Sequence, residues 1–490
     1  MRLRRRNFLR LAASSATLPV LSRFSWSQDA RPLAERLADY ANGLRFDSLD
    51  AATIEQVKVL VIDTLGCGLA AFDEQAVRAC REIALVPASG ASTVIGTSRR
   101  TTPDLASFAN GAAFRFLDLN DIYVPPYAGA QGAHPSDHIA ACFAVAEAER
   151  ATASELITAI VLAYEINCRL GDAVNLSNRG WDPPVLSLPA VALAAGKLMK
   201  LPHDKLVQAV NLAINDHIPM GQTRAQTLSD WKGLADAEAG RNAVFAAMLA
   251  RAGVTGPAPI FEGRWGFFQL VSGPVDVDVG TFGGSGREFR IHRVGMKPYP
   301  VVVHAQTSIL AGIAVAKELG SLDRIASIEI ATTQRGYQMA GSDPEKWAPE
   351  TSETADHSLP YIAARAMFDG DINRHSFELA KLRDPQILAF MRKITVKPDP
   401  VFDKFPGAPP VRITAILHDG QRVIRQVDNM PGFPGQPMTR ADVERKFRGN
   451  TDTRWSREQT DAVLQALWAL DRTDNLSSLL GKLSGQKTTP

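Results

Sequence analysis

Residues 132–138 read Gly-Ala-His-Pro-Ser-Asp-His, which sets His134, His138 and a carboxylate between a glycine-containing loop and the apolar segment IAACFAVAEAER. Just upstream, Asp118-Leu119-Asn120-Asp121 supplies two more carboxylates, and the intervening PPYAGAQ lacks the periodicity of regular structure. Asp118, Asp121 and His134 are therefore expected on loops bracketing a helix N-terminus. Ser136 or Asp137 is expected to cap that helix by accepting from its free N–H groups, which accounts for those two residues and leaves His134 unexplained. An imidazole titrating near neutrality, beside acids and a positive helix end, suits proton transfer or carboxylate binding.

Two lysines extend the pattern. Lys232 lies in Ser-Asp-Trp-Lys-Gly, immediately before the small-residue segment LADAEAGRNAVFAAMLA. A tryptophan on one side and a close-packing helix on the other favour a partly enclosed ammonium near free backbone N–H donors, an arrangement that suits an anionic ligand. Lys297 lies in Met-Lys-Pro-Tyr-Pro, with His304 at the head of the next helical segment. The two prolines fix the direction of the chain, so Lys297, Tyr299 and His304 sit on a rigid loop, a reasonable place for a ligand cleft. His357, in Thr-Ala-Asp-His-Ser-Leu-Pro, again falls near a helix start. Each has a plain structural alternative: a surface lysine, a proline-rich turn, or a capping or core histidine.

Other chemistries leave no trace. The chain contains no H-E-x-x-H, no C-x-x-C pair, no G-x-x-x-x-G-K-[ST] and no G-x-S-x-G, and Gly283-Gly284-Ser285-Gly286 lacks the spacing of a dinucleotide loop. Metal, nucleotide and acyl-enzyme mechanisms are unsupported, and no cofactor is expected. The four cysteines, Cys67, Cys80, Cys142 and Cys168, are expected as buried thiols, three of them in apolar helical patterns.

The elements that must position these groups are mostly helices. At 490 residues, 45% of them apolar and 22% charged, the chain is ordinary for a globular protein of about two domains. Residues 1–28 have a basic head with Arg5-Arg6, an apolar middle and a small-x-small exit at Ser25-Trp26-Ser27, the anatomy of a twin-arginine export signal, and the expected location is the bacterial periplasm. This stretch holds six arginines and no acid, so the remainder has 48 basic and 52 acidic side chains, a net charge of −4. That balance, without a basic cluster, argues against nucleic acid or an anionic membrane as partner. After the signal, no apolar run reaches the roughly 18 uncharged residues of a membrane span.

Apolar residues recur at three- and four-residue spacing from about 31 to 270, predicting alanine-rich helices, several of them apolar nearly all round and so buried in a bundle. After the Gly-rich stretch 273–289, strand signals arise in ASIEIATT, KITVKPDP and RITAILHDGQRVIRQV, the last a hairpin turning at Asp419-Gly420. Helices intervene at HAQTSILAGIAVAKEL and DHSLPYIAARAMF. The organisation expected is a helical domain over 31–287, a smaller α+β domain over 288–428, and C-terminal helices over 429–490 that rejoin the first.

In combination and order, NGAAFRFLDLND, GAHPSDHIAACFAVAEA, SDWKGLADAEAGRNAVFAAMLARAGVTGP followed by IFEGRWGFF, GMKPYP with His304, and ETADHSLPYIAARAMFDG resemble the MmgE/PrpD family. That family includes 2-methylcitrate dehydratase, cis-aconitate decarboxylase and iminodisuccinate epimerase. The resemblance implies a large all-helical domain with a smaller inserted α+β lid, usually in a homodimer. It implies a cofactor-independent reaction beside a carboxylate of a small polycarboxylic acid, at a site between the domains. Carried over, Asp118, His134, Lys232 and Lys297 are the implied catalytic residues. Asp121, Asp182, His304, Tyr337 and His357 are the implied substrate-binding ones. Decarboxylase-like members carry a histidine in the segment that reads Arg179-Gly180-Trp181-Asp182-Pro183 here, and Asp182 brings the chain nearer the methylcitrate dehydratases. The expected activity is dehydration of a hydroxy polycarboxylate. Epimerisation or decarboxylation of a related acid, and a non-catalytic polycarboxylate-binding protein, are the alternatives.

Overall fold

The computed structural model describes residues 31–87, 89–125, 131–215, 217–405 and 407–484. The expected export signal lies outside the described residues, as does 126–130 of the PPYAGAQ loop. Nine helices follow in order: α1 (Leu33–Gly43), α2 (Ala51–Ala70), α3 (Gln75–Ala84), α4 (Pro103–Arg115), α5 (His138–Ala148), α6 (Ala153–Ala173), α7 (Ser187–Leu198), α8 (His203–Asn215) and α9 (Ala235–Arg251). Side chains stop the fraying ends. Asp50 accepts from the Thr53 N–H at 2.7 Å to start α2, and Thr152 and Glu155 form a reciprocal box that starts α6. The all-round apolar pattern of α5, α6 and α7 does place them inside, where Ile157, Ile160, Leu162 and Leu193 are fully buried. Each such side chain contributes about 1.5–3 kcal/mol.

Within this bundle, β1 (Ser92–Thr93) pairs with β2 (Arg100–Thr101), and β3 (Asp121–Tyr123) pairs antiparallel with β4 (Val294–Met296), Ile122 opposite Gly295. The second pair departs from the expected organisation. Residues 291–296, read from sequence as the start of the α+β part, pack into the helical core through Ile291, Val294 and Met296, because β4 finds its hydrogen-bonding partner in β3.

A second apolar core begins at Val301 and runs to Leu417. Its frame is α10 (Gln306–Leu319), β5 (Ile325–Thr332), α11 (Gln334–Ala340), α12 (Ser352–Ala355), α13 (Leu359–Asp369), β6 (Ile394–Pro398), β7 (Val411–Leu417) and β8 (Arg422–Val427). The sheet order is β6-β5-β7-β8, with β5 parallel to β6 and antiparallel to β7. The β7–β8 hairpin closes at Asp419-Gly420, where Gly420 takes φ +83°. The chain then returns to the first core. Phe447, Trp455 and Leu467, from the helices at Arg440–Thr451 and Arg457–Trp468, pack there. The fold is thus mostly α with an α+β part. Among the described residues, no helix is long and apolar enough to cross a membrane.

Candidate active site

Asp118 stands three residues beyond the end of α4 with φ +51°, an uncommon conformation for a non-glycine residue. That turn brings its carboxylate back onto Arg115 of the last helical turn, and the two form a close ion pair with almost no exposure. Lys297, directly after β4, places Nζ 2.9 Å from Asp118 Oδ1 in an ion pair that is not an aligned hydrogen bond, and among the described residues Nζ has no hydrogen-bond partner. The β3–β4 ribbon explains how residues so distant in sequence meet: it ties the loop after Asp118 to the strand before Lys297.

His134 completes this group. Its Nδ1 lies 2.6 Å from the Asp121 backbone carbonyl. A carbonyl only accepts, so Nδ1 carries the proton, and in the neutral ring Nε2 keeps a free lone pair. Nε2 is 3.9 Å from Asp118 Oδ1. The group that orients the ring is therefore the main chain of Asp121, with Asp118 beyond hydrogen-bond reach. Burial, then the charges of Arg115 and Lys297, hold the His134 imidazolium well below its ordinary range.

The expected cap is not formed. Residues Pro135–Asp137 make a three-ten turn whose main chain engages the first N–H groups, and neither Ser136 nor Asp137 accepts from the helix start. Both instead accept from Asn120 Nδ2, at 2.9 and 2.7 Å. Asp137 Oδ2 and Asp236 Oδ2 lie 3.7 and 3.8 Å from Arg115 Nε. Burial and repulsion from Asp236 push Asp137 well above the carboxylate range, against the pull of Arg115.

Lys232, on the three-ten turn Asp230–Gly233, is fully buried and donates to Asp356 Oδ2 at 2.8 Å. The neighbouring Trp231 is 44% exposed, and the ammonium's partner Asp356 comes instead from the residue that follows α12. His357 Nδ1 makes a close contact with Asp356 Oδ1. Burial pushes Asp356 up to about 6 despite Lys232, and lowers His357 well below its ordinary range. The two clusters feel each other: after burial, the largest effects on Asp118 come from Arg115, Lys232, Lys297 and His357, and they hold it well below the carboxylate range. Burial pushes Lys297 down to about 8.

The other expected binding residues take different places. The Asp121 carboxylate accepts from the Ser136 N–H at 3.1 Å and from the Tyr164 hydroxyl at 2.9 Å, and burial pushes it up to about 6. Its work is to hold the His134 loop. Asp182 is fully buried and accepts from Arg224 Nε at 2.8 Å, while the same guanidinium donates to the Lys232 carbonyl at 3.0 Å. Asp182 thus steadies the turn that carries Lys232. His304 has an unpartnered buried Nδ1, and burial, with Arg335 and His357, lowers it to about 3. Tyr337 is partly exposed on α11, which packs beside the turn carrying His304, and among the described residues its side chain makes no hydrogen bond to either cluster. His138, the second histidine of the motif, is a core residue bonded to Ser187 at 3.0 Å.

Sequence reasoning passed over Arg115, Arg224, Lys346 and Asp356. Arg115 ends a helix and reads as an ordinary C-terminal cation. Asp356, adjacent to His357, offered the clearest missed signal.

The N-terminal domain of MmgE/PrpD proteins matches residues 35–279 and their C-terminal domain matches residues 299–470. The chain belongs to the MmgE/PrpD family. This MmgE/PrpD chain is 26% identical over 468 residues to 2-methylcitrate dehydratase of Cupriavidus necator, covering 88% of the chain and 92% of that protein. It is 26% identical over 486 residues to the cis-aconitate decarboxylase-like protein oryM of Aspergillus oryzae, covering 92% and 97%. Human cis-aconitate decarboxylase is 23% identical over 475 residues, covering 93% and 95%. The four cysteines of the MmgE/PrpD chain are free and buried, and among the described residues no three His, Cys, Asp or Glu side chains are grouped to hold a metal ion.

Proposed function

We propose that the protein is a hydro-lyase that dehydrates a small hydroxy polycarboxylic acid, as the name 2-methylcitrate dehydratase states for its relatives. The observation that carries the reading is the free Nε2 of His134, fixed by the Asp121 carbonyl and set beside a buried cationic cluster of Arg115 and Lys297. Abstracting a proton from a carbon next to a carboxylate places a second negative charge on that carboxylate's oxygens. Cations fixed where this charge develops lower the barrier.

His134 Nε2 takes the C–H proton, and its bonding pair delocalises onto the carboxylate as an enediolate facing Arg115 and Lys297. The C–O bond on the neighbouring carbon then breaks, the pair returns to form the C=C bond, and the imidazolium gives its proton to the departing hydroxyl, so water leaves. The charges that depress His134 make the imidazolium a ready acid. The substrate's own anions offset those charges when the ring must act as base.

The test is incubation of di- and tricarboxylic acids with purified protein in deuterated water, followed by proton NMR. An olefinic product with loss of hydroxyl supports dehydration. Deuterium uptake without an olefin makes the protein an epimerase, loss of carbon dioxide makes it a decarboxylase, and binding with neither overturns catalysis. Decarboxylation is the second reading because two of the relatives above carry that name. The Asp182–Arg224 pair, where decarboxylase-like members have a histidine, weighs toward dehydration.

The same reading includes twin-arginine export to the periplasm and a homodimer. Changing Arg5 and Arg6 together to lysine is expected to keep the protein in the cytoplasm on fractionation, and light scattering should report twice the chain mass. Export of the double variant, or a monomer, refutes the respective part.

A further inference from the structure

Lys346 sits on the three-ten turn Pro344–Trp347 with 1% exposure, and its buried Nζ has no hydrogen-bond partner among the described residues. Its backbone is anchored at both ends. The N–H donates to the Asp343 carbonyl at 3.0 Å, and the carbonyl accepts a close hydrogen bond from the Ser358 hydroxyl. This second bond fastens the turn to the segment Asp356-His357-Ser358. The charges acting on the ammonium are those of Asp356, Asp343, Lys232 and Glu345. Asp356 is already engaged by Lys232 at 2.8 Å and by His357, so two buried lysines share one carboxylate. A buried ammonium is stable only when paired and hydrogen-bonded. Here, among the described residues, no oxygen accepts a hydrogen bond from it. An incoming anion would supply the missing acceptor.

We propose that Lys346 is an anchor for a substrate carboxylate remote from the carbon at which His134 acts. The inference rests on the polycarboxylate reading above and deepens it. Arg115 and Lys297 hold the reacting end, whereas Lys346 and Lys232, on the Asp356 side, hold the far end. The occupant is then a tricarboxylic acid, two of whose carboxylates sit at the reacting end and the third at Lys346. Burial lowers Lys346 from its ordinary value, and a neighbouring anion acts in the opposite direction.

The test compares propane-1,2,3-tricarboxylate with succinate by calorimetry on the full chain, for wild type, Lys346→Met and Lys346→Gln. Wild type is expected to favour the tricarboxylate. Either variant should weaken tricarboxylate binding ten- to a hundredfold and succinate binding less than threefold, while the empty Lys346→Met protein melts no lower than wild type because an unpaired buried charge has gone. If Lys346→Met fails to fold, Lys346→Gln, which keeps a polar terminus, carries the same comparison. Equal loss for both acids, or an unchanged tricarboxylate affinity, overturns the anchor while leaving the polycarboxylate reading intact. A wild type that binds neither acid overturns that reading itself.

Discussion

Replacing Lys297 by methionine removes one charge and keeps most of the side-chain volume. Lys297 is fully buried, and its Nζ lies 2.9 Å from an Asp118 carboxylate that also pairs closely with Arg115. Orphaning a buried charge usually costs about 3–5 kcal/mol. Asp118 is not orphaned here, because the guanidinium stays. The desolvation that pushes Lys297 down to about 8 disappears with the ammonium. The two effects oppose each other, so the stability of the empty protein should change by about 1 kcal/mol or less. Catalysis has no such compensation. One donor facing the forming enediolate is lost, about 2.7–4 kcal/mol of barrier, or ~10²–10³ in kcat.

The assay is olefin formation or solvent deuterium incorporation by NMR, beside thermal unfolding of the empty protein. In wild type, kcat/KM, which reports the free enzyme, should fall as pH rises through about 8 and the ammonium is lost, and the variant should lack that limb. Stability runs the other way. A folded value of about 8 against an ordinary 10.5 means that the unfolded chain binds the proton more tightly across that window, so wild type gains stability as pH rises through it. A Lys297→Met protein within tenfold of wild-type rate, or one that retains the alkaline limb, would refute the anion-binding role.

Glutamine at His134 cannot shuttle a proton, and exchange and turnover should drop ~10²–10⁴-fold with KM little changed; persistent deuterium exchange would assign the base elsewhere. Asp356→Asn leaves Lys232 without its 2.8 Å counter-ion, and denaturant unfolding should report a loss of about 3–5 kcal/mol; a loss under about 1 kcal/mol contradicts the pairing. Gly432 takes φ +103°, and a Cβ there would lie 2.2 Å from the Met296 carbonyl oxygen, immediately before Lys297. Gly432→Ala should therefore lower stability by about 1–3 kcal/mol and also reduce turnover, by displacing that lysine; full activity would show that β4 does not set its position.

Periodicity carried far in this chain because helices record their neighbours locally. The apolar faces of α2, α6 and α7 and the hairpin at Asp419-Gly420 have short-range signatures. The β3–β4 pairing has none: three residues on each side, 173 positions apart from Ile122 to its partner Gly295 in sequence, bond only because the surrounding core holds them together. For the same reason Arg115 and Lys346 escaped notice. A buried cation is unusual because of its surroundings, and a one-dimensional pattern does not contain them. His134, Lys232 and Lys297 stood out by their flanking prolines, glycines and aromatics. What the sequence left open was which acid each would face.

The ribbon of β3 and β4 has one further consequence. It mounts Asp118, His134 and Lys297 on the helical core as a single rigid piece, whereas Lys346, Asp356 and His357 belong to the α+β part. On the proposed mechanism, substitutions at positions 343–357 would retune which acid is gripped without shifting the His134 imidazole. A scaffold divided in this way would let recognition and proton transfer be altered by separate substitutions.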